Sequence, residues 1–339
     1  MLKSFFCTKK WALWAWGGLT LLLLSMWAQV SLTVMINEWY GGFYDLMQKS
    51  IIINDTKEKG LAIELFYNKL LSFNIEDKSF FILAMPFMVL QTITDWFNRV
   101  YGLRWREAIT FHYMEPWKDV EEEIEGASQR LQEDIKKYIL LMTNLGLNGI
   151  RTVMTLIAFI PLLWILSGQV EIPLLPDMEG MLVWVAIVIS VGGLLITWVI
   201  GSRLPGLEYN NQKVEAAFRK ELVFAEDDKK NYASPETVLG LFTGIKYNYQ
   251  RLFNHYGYVD VWINSYNQFM VIVPYLLVGQ GLFTGLITLG ILAQVSNAFG
   301  KVHEGLSFFL YRFTMITELR SIYKRLSEFE DNLRRFKRV

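Results

Sequence analysis

Residues 203–228 read RLPGLEYNNQKVEAAFRKELVFAEDD, a charged, helix-favouring stretch that hangs directly from a long apolar run. Pro205 and Gly206 break the preceding segment. After them Glu208, Gln212, Glu215, Arg219 and Leu222 fall at helical spacing along one face. Carboxylates and their partners therefore line up in a row. On spacing alone such a row is a solvated helix face, held by pairs such as Glu215 with Arg219. Its meaning depends on what it is attached to.

The chain is 339 residues long, 53% hydrophobic and 15% aromatic, and its mean hydropathy is positive. That is too apolar for a soluble protein of this size and reads as a polytopic membrane protein in a lipid bilayer. Lys+Arg and Asp+Glu balance at 33 each, so there is no global basic field to recruit nucleic acid. Cys7 is the single cysteine, which excludes an intrachain disulfide framework. His112, His255 and His303 are scattered without metal-ligand spacing.

Working outward from the charged row, six apolar runs are long enough to span, at about 11–36, 80–100, 138–166, 181–202, 258–279 and 286–314. The first follows Lys3, Lys9 and Lys10. It is too long for a signal sequence and has no clean cleavage site, so it is kept as the first span. Residues 37–79 read as a mixed connector with short interfacial helices, and 101–137 and 203–257 as charged helical extensions. Residues 1–10 form a short N-terminus, 11–320 one transmembrane domain, and 321–339 a basic tail.

Several spans carry polar stripes at helical spacing: Gln91, Asp95 and Asn98 in the second; Asn144, Asn148, Arg151 and Thr155 in the third; Asp260 and Asn264 in the fifth; Gln294, Asn297, Lys301 and Glu304 in the sixth. Such faces cannot look at lipid and mark a bundle interior or a wet cavity. Pro161 is placed to kink the third span. Lys and Arg number six in 101–137 and eight in 203–257, and the tail is basic, whereas the loops 167–180 and 280–285 have none. Only the 37–79 connector, with five lysines, blurs the pattern. Retained positive charge marks the cytoplasmic side, so both termini and both charged extensions are cytoplasmic.

Long extensions between spans two and three and between four and five are also the layout of ATP-driven exporters. Yet no GxxxxGK[ST] occurs, and the lone Gly300-Lys301 pair lacks the rest of the motif. Either a separate ATPase docks here or an ion gradient drives the protein. Carboxylates beside a membrane cavity can exchange protons when desolvation or mutual repulsion raises their pKa. Glu125, Gln129 and Glu133 repeat the pattern of Glu208, Gln212 and Glu215, with Glu221 and Glu226 beyond. There is no GxSxG, no paired histidines on a helix and no Cys/His arrangement, so catalysis is a poor hypothesis.

The 203–228 block, together with EGASQRLQED, LRWR, FYDL, MTLIAF and SIYKRL, resembles the bacterial SbmA/BacA peptide transporters from about residue 37 to 329, in the same order and with similar gaps. The resemblance implies an all-α membrane protein with six spans per chain and long cytoplasmic helical extensions. It also implies an ABC-exporter-like transmembrane fold without nucleotide-binding domains, working as a homodimer in the bacterial inner membrane. Such a protein imports proline-rich antimicrobial peptides, microcins and bleomycin-like glycopeptides on the proton gradient, with protons as coupling ion and no other cofactor. Carried residue by residue, it implies proton coupling at Glu125, Glu133, Glu208, Glu215, Glu221 and Glu226. The polar stripes would line its cavity through Gln91, Asp95, Asn98, Asn144, Asn148, Arg151, Asp260, Asn264 and Asn297. The chain departs from the family pattern at Thr143, where a glutamate is usual, and at Arg151, where a neutral polar residue is usual. Set beside well-known members, it is expected to be a short form without their extra N-terminal helix. Two alternatives stay open: a membrane subunit served by a separate ATPase, and a peptide-binding receptor that does not transport.

Overall fold

The computed structural model describes residues 1–74, 76, 78–120, 124, 126–170, 178–228, 230–308 and 312–336. Its elements among these residues are helices. We number them α1 (Leu2–Phe6), α2 (Leu13–Ile52), α3 (Thr56–Leu71), α4 (Phe80–Lys118) and α5 (Ala127–Ser167). They continue with α6 (Met181–Gly201), α7 (Leu204–Asp227), α8 (Pro235–Thr284), α9 (Leu289–Leu306) and α10 (Phe313–Phe336).

Among the described residues five helices are long and apolar enough to cross a membrane: α2, α4, α5, α6 with α7, and α8, of 39 to 50 residues. At 1.5 Å per residue they rise roughly 60–75 Å, about twice the hydrocarbon core. Each must therefore project well into water. The first span does not stop near 36; it runs on through NEWYGGFYDLMQ to Ile52, so the expected connector is half helix extension and half α3. Asp55 ends that run and caps α3 by accepting from Lys57 N at 3.0 Å. Ser79 and Thr288 cap α4 and α9 in the same way. Ser234 accepts from Thr237 N at 3.2 Å, with Pro235 as the first residue of α8. Pro161 lies inside α5, which continues to Ser167.

The sixth expected span, 286–314, is met by α9, which has 18 residues and is not among the five. Its polar stripe lowers its hydropathy, and residues 309–311 fall outside the described set.

The chain divides into two compact units, Met1–Ile187 with Pro274–Val339, and Val188–Val273. In the first, α9 packs on α2 and α5, and α2 packs on α4. The approach of α9 to α2 is close enough that a Cβ on Gly290 would meet the carbonyl of Gly41. Asp45 and Gln48 of α2 accept from the Gly290 and Leu289 backbone N–H groups at 2.9 and 2.7 Å, so one helix caps the next.

An aromatic and aliphatic core closes the other end. Phe5 of α1 is fully buried, stacked on Trp105 at 5.7 Å and edge-on to Tyr101 at 5.4 Å. The stretch read as a basic tail is an amphipathic helix. Its Ile322, Leu326, Phe329 and Leu333, spaced by four, three and four, are buried in this core.

Above that core Asp134 of α5, 1% exposed, accepts from Arg325 Nε and Nη2 of α10 at 3.0 and 2.8 Å and from Arg130 Nη1 at 2.8 Å. In the second unit α6 and α7 run antiparallel to α8. Tyr266 O–H donates to the Ile189 carbonyl at 3.1 Å, Trp262 Nε1 to Thr197 Oγ1 at 2.8 Å, and Tyr256 O–H to Glu208 Oε1 at 2.6 Å.

Burial opposes ionisation of Asp134, but the hydrogen bonds from Arg325 and Arg130 outweigh it and hold the carboxyl below its ordinary value. A depressed carboxyl pKa contributes stability that is fully present above the unfolded pKa, about 3.9, and is lost as pH falls through the folded one. Asp134→Ala leaves two arginines facing each other and should destabilise by about 3 kcal/mol at neutral pH. Thermal melts in detergent should show that deficit, and it should shrink below roughly pH 4.

Candidate functional site: polar cavities among the apolar helices

Gln29 lies in the first apolar run and is 2% exposed. Three helices meet at it. Its Nε2 donates to Thr94 Oγ1 of α4 at 2.8 Å, and its Oε1 accepts from Arg151 Nη2 of α5 at 2.8 Å. Thr94, 3% exposed, gives its one proton to the Leu90 carbonyl at 2.6 Å. Ser25, 2.5 Å away, must therefore be the donor to Thr94. Arginine can only donate, so it also fixes which way the Gln29 amide points. The network joins α2, α4 and α5 where lipid offers no alternative partner.

Three cavities lie in the first unit, and the first of them includes Gln29 and Arg151 of this network. One of about 340 Å³ lies among α2, α4, α5 and α9 and is lined by Gln29, Asn148, Arg151, Lys301, Glu304 and Arg312. A second, of about 410 Å³, lies between α4 and α5 and holds Asp95, Asn98, Arg99, Arg106, Lys136 and Asn144. The Asn98 Oδ1 is buried there without a partner among the described residues. The third, about 290 Å³, is lined by Tyr40, Tyr44, Tyr275, Ser296 and Asn297. Lys136, Asn144, Asn148, Arg151 and Thr155 form one stripe of α5 that runs from the second cavity to the first.

The cavity residues expected from sequence are thus distributed. Asn148 and Arg151 share one cavity, Asp95, Asn98 and Asn144 another, and Asn297 lies in the third. Gln91 is half-buried on α4 and lines none of these three. Asp260 and Asn264 are exposed on the part of α8 that belongs to the second unit. Thr143 is buried in the second cavity, its hydroxyl donating to the Ile139 carbonyl at 2.8 Å.

The carboxylate row is exposed or half-buried. Glu208 accepts from Tyr256, Glu221 accepts from Ala233 N at 2.8 Å, Glu215 is half-buried and Glu226 exposed. Among the described residues the pair of Glu215 with Arg219 is not formed, as fits the few tenths of a kcal/mol such exposed pairs contribute. Glu133 is ion-paired with Lys137 at 2.7 Å. That hydrogen bond and charge hold its carboxyl below the ordinary value, the opposite of what proton uptake near neutrality requires. Glu125 lies outside the described residues.

Sequence reasoning missed the role of Gln29 and Thr94, and it missed Arg312 as a cavity residue. Gln29 was legible as a polar interruption of an apolar run, but its partners come from helices 65 and 122 residues away.

The pattern of the SbmA/BacA-like family matches residues 8–334. The chain is 26% identical over 321 residues to the "Inner membrane ABC transporter ATP-binding protein YddA" of Escherichia coli (strain K12), covering 88% of this chain and 54% of that one. It is 25% identical over 265 residues to "ABC transporter D family member 2, chloroplastic" of Arabidopsis thaliana, covering 74% and 35%. The chain spans about half the length, or less, of the curated relatives it matches.

Gln29→Leu keeps the volume but removes the acceptor of Arg151 and the donor to Thr94. It should lower stability in detergent by about 1–2 kcal/mol, more than Ser31→Ala on the same helix, whose hydroxyl turns back to its own backbone.

Proposed function

The chain belongs to the SbmA/BacA-like family, and on that footing we propose that it is a proton-driven importer of peptides. It works by alternating access in the bacterial inner membrane, as a homodimer with both termini cytoplasmic. The observation that carries this reading is the set of polar cavities along α5. They combine carboxamides, cations and carboxylates within helices apolar enough to span. Polar lining inside a membrane bundle is costly to maintain and is the mark of a path for polar solutes. A peptide, with an amide at every residue, suits a lining rich in asparagine, which both donates and accepts.

Coupling is assigned to the α7 carboxylates, with Glu208 first. Its hydrogen bond from Tyr256 joins α7 to α8, so a change of charge at Glu208 alters how the two helices are held. Protonation would then bias one arrangement over another. Glu133 is the weakest member, since Lys137 keeps it ionised.

A second reading is supported by the relatives, whose names describe ATP-binding transporters about twice as long as this chain. In that reading the 339 residues are the membrane part of an ATP-driven machine. The ATPase is then supplied from beyond them, since they contain no GxxxxGK[ST].

Uptake of a labelled proline-rich peptide into vesicles decides between them. Import should require an inward proton gradient and not respond to ATP; uptake that needs ATP and ignores the gradient establishes the second reading. Glu208→Gln and Glu215→Gln should each lower gradient-driven uptake by about tenfold with melting behaviour unchanged. Normal uptake by both variants would return the row to a solvated surface.

A further inference from the structure

Arg151 stands about halfway along the apolar segment 138–166 of α5 and lines the 340 Å³ cavity. A guanidinium stays charged at every accessible pH and carries five donor N–H groups. Among the described residues one of them is used, Nη2 on Gln29, and Nε is buried without a partner. No described carboxylate lies within ion-pair distance of Arg151.

The other charges of the cavity do not repair this. Its carboxylate, Glu304, is engaged by Lys301 at 3.1 Å, and among the described residues Arg312 Nη1 contacts Met315 Sδ. Among the described residues of the lining, three cations thus face one anion, and the pairing of Lys301 with Glu304 leaves Arg151 and Arg312 without a described counter-ion. An unpaired cation at this depth is expensive, so the site gains most from an anionic ligand.

The cation is also held in place. Gln29 is nearly inaccessible and is clamped by Thr94, so Arg151 rests on a neutral acceptor that orients it without neutralising it. A fixed guanidinium fork with open donors matches the two oxygens of a carboxylate. The volume sits at the small end of ligand sites, which run from about 300 to 1,000 Å³, and takes the end of a chain rather than its whole length.

We propose that this cavity recognises a carboxylate, with Arg151 as the anchor positioned by Gln29, and that the group bound is the free C-terminal carboxylate of the peptide. The assignment rests on the transport reading above. It orders the substrate as well. The peptide enters the α2, α5 and α9 cavity by its C-terminus, and its body lies along the asparagines of α5. Peptides with an amidated C-terminus, or with basic residues at that end, are disfavoured because they bring no anion, or bring cations, to a positive site.

Binding of tetra-alanine to the purified protein in uncharged detergent tests this without requiring transport. The free acid should bind about tenfold tighter than its C-terminal amide, the size expected for one charge-assisted pair. Arg151→Gln should bring the two affinities together, and Arg151→Lys should keep part of the preference. Equal binding of acid and amide by the native protein overturns the proposal even if every variant misfolds. So does a full acid preference that survives in Arg151→Gln, or acetate displacing the peptide acid as effectively as the peptide itself. Acid-selective binding without vesicle uptake in either energised condition would leave the carboxylate site standing and remove the transport reading instead.

Discussion

Hydrocarbon offers no hydrogen bonds, so a polar side chain within a spanning helix must find its partner in another helix of the protein. Gln29 shows how much structure follows from that constraint. With one amide it meets Thr94 of α4 and Arg151 of α5, and so determines which faces of three helices turn inward. The outer faces are left apolar, as the exposed Leu13, Trp16, Leu24 and Trp27 of α2 illustrate. Because Gln29 supplies no negative charge, the same contact holds a cation in the membrane region without quenching it. A structural contact and a recognition property thus arise from one choice of side chain.

At the opposite end of the first unit the solvent changes and so does the device. There Asp134 is ionised and shared between Arg130 and Arg325, beside a core into which α1 brings Phe5 and α10 brings Leu326. The anion at Asp134 is paired, whereas the cation at Arg151 has no described counter-ion. The difference is what separates a clamp between helices from a place where a ligand can supply the missing charge.

The carboxylate row of α7 occupies a middle ground. Its glutamates are hydrogen-bonded to neutral groups, half-buried or exposed, none is ion-paired among the described residues, and Glu208 is tied to a helix that returns antiparallel to its own. Glu133, matched to Glu215 by pattern, differs because Lys137 sits one turn away and Arg219 does not close on Glu215. Two rows alike in spelling are therefore unlike in electrostatics.

Composition and periodicity by themselves determined that this is a helical membrane protein, where its apolar runs lie, that 203–228 is a helix, and that α5 carries a polar stripe with an arginine in it. These are local properties: hydropathy and a repeat of 3.6 residues are written in consecutive positions. Where helices end was less legible. The run from 37 to 52 looked like a connector because its aromatics and glycines lower its hydropathy, yet it continues α2, held by Asp45, Gln48 and the close approach of α9 at Gly290. A tail rich in arginine proved to be a packed amphipathic helix, because the apolar spacing within it outweighs its charge once α4 and α5 supply a surface. Only the tertiary structure decided that the polar stripes divide among separate cavities, that Gln29 is the partner of Arg151, and that Arg151 meets no described carboxylate. Those facts depend on side chains many turns apart in sequence, and no local pattern records which of them will meet.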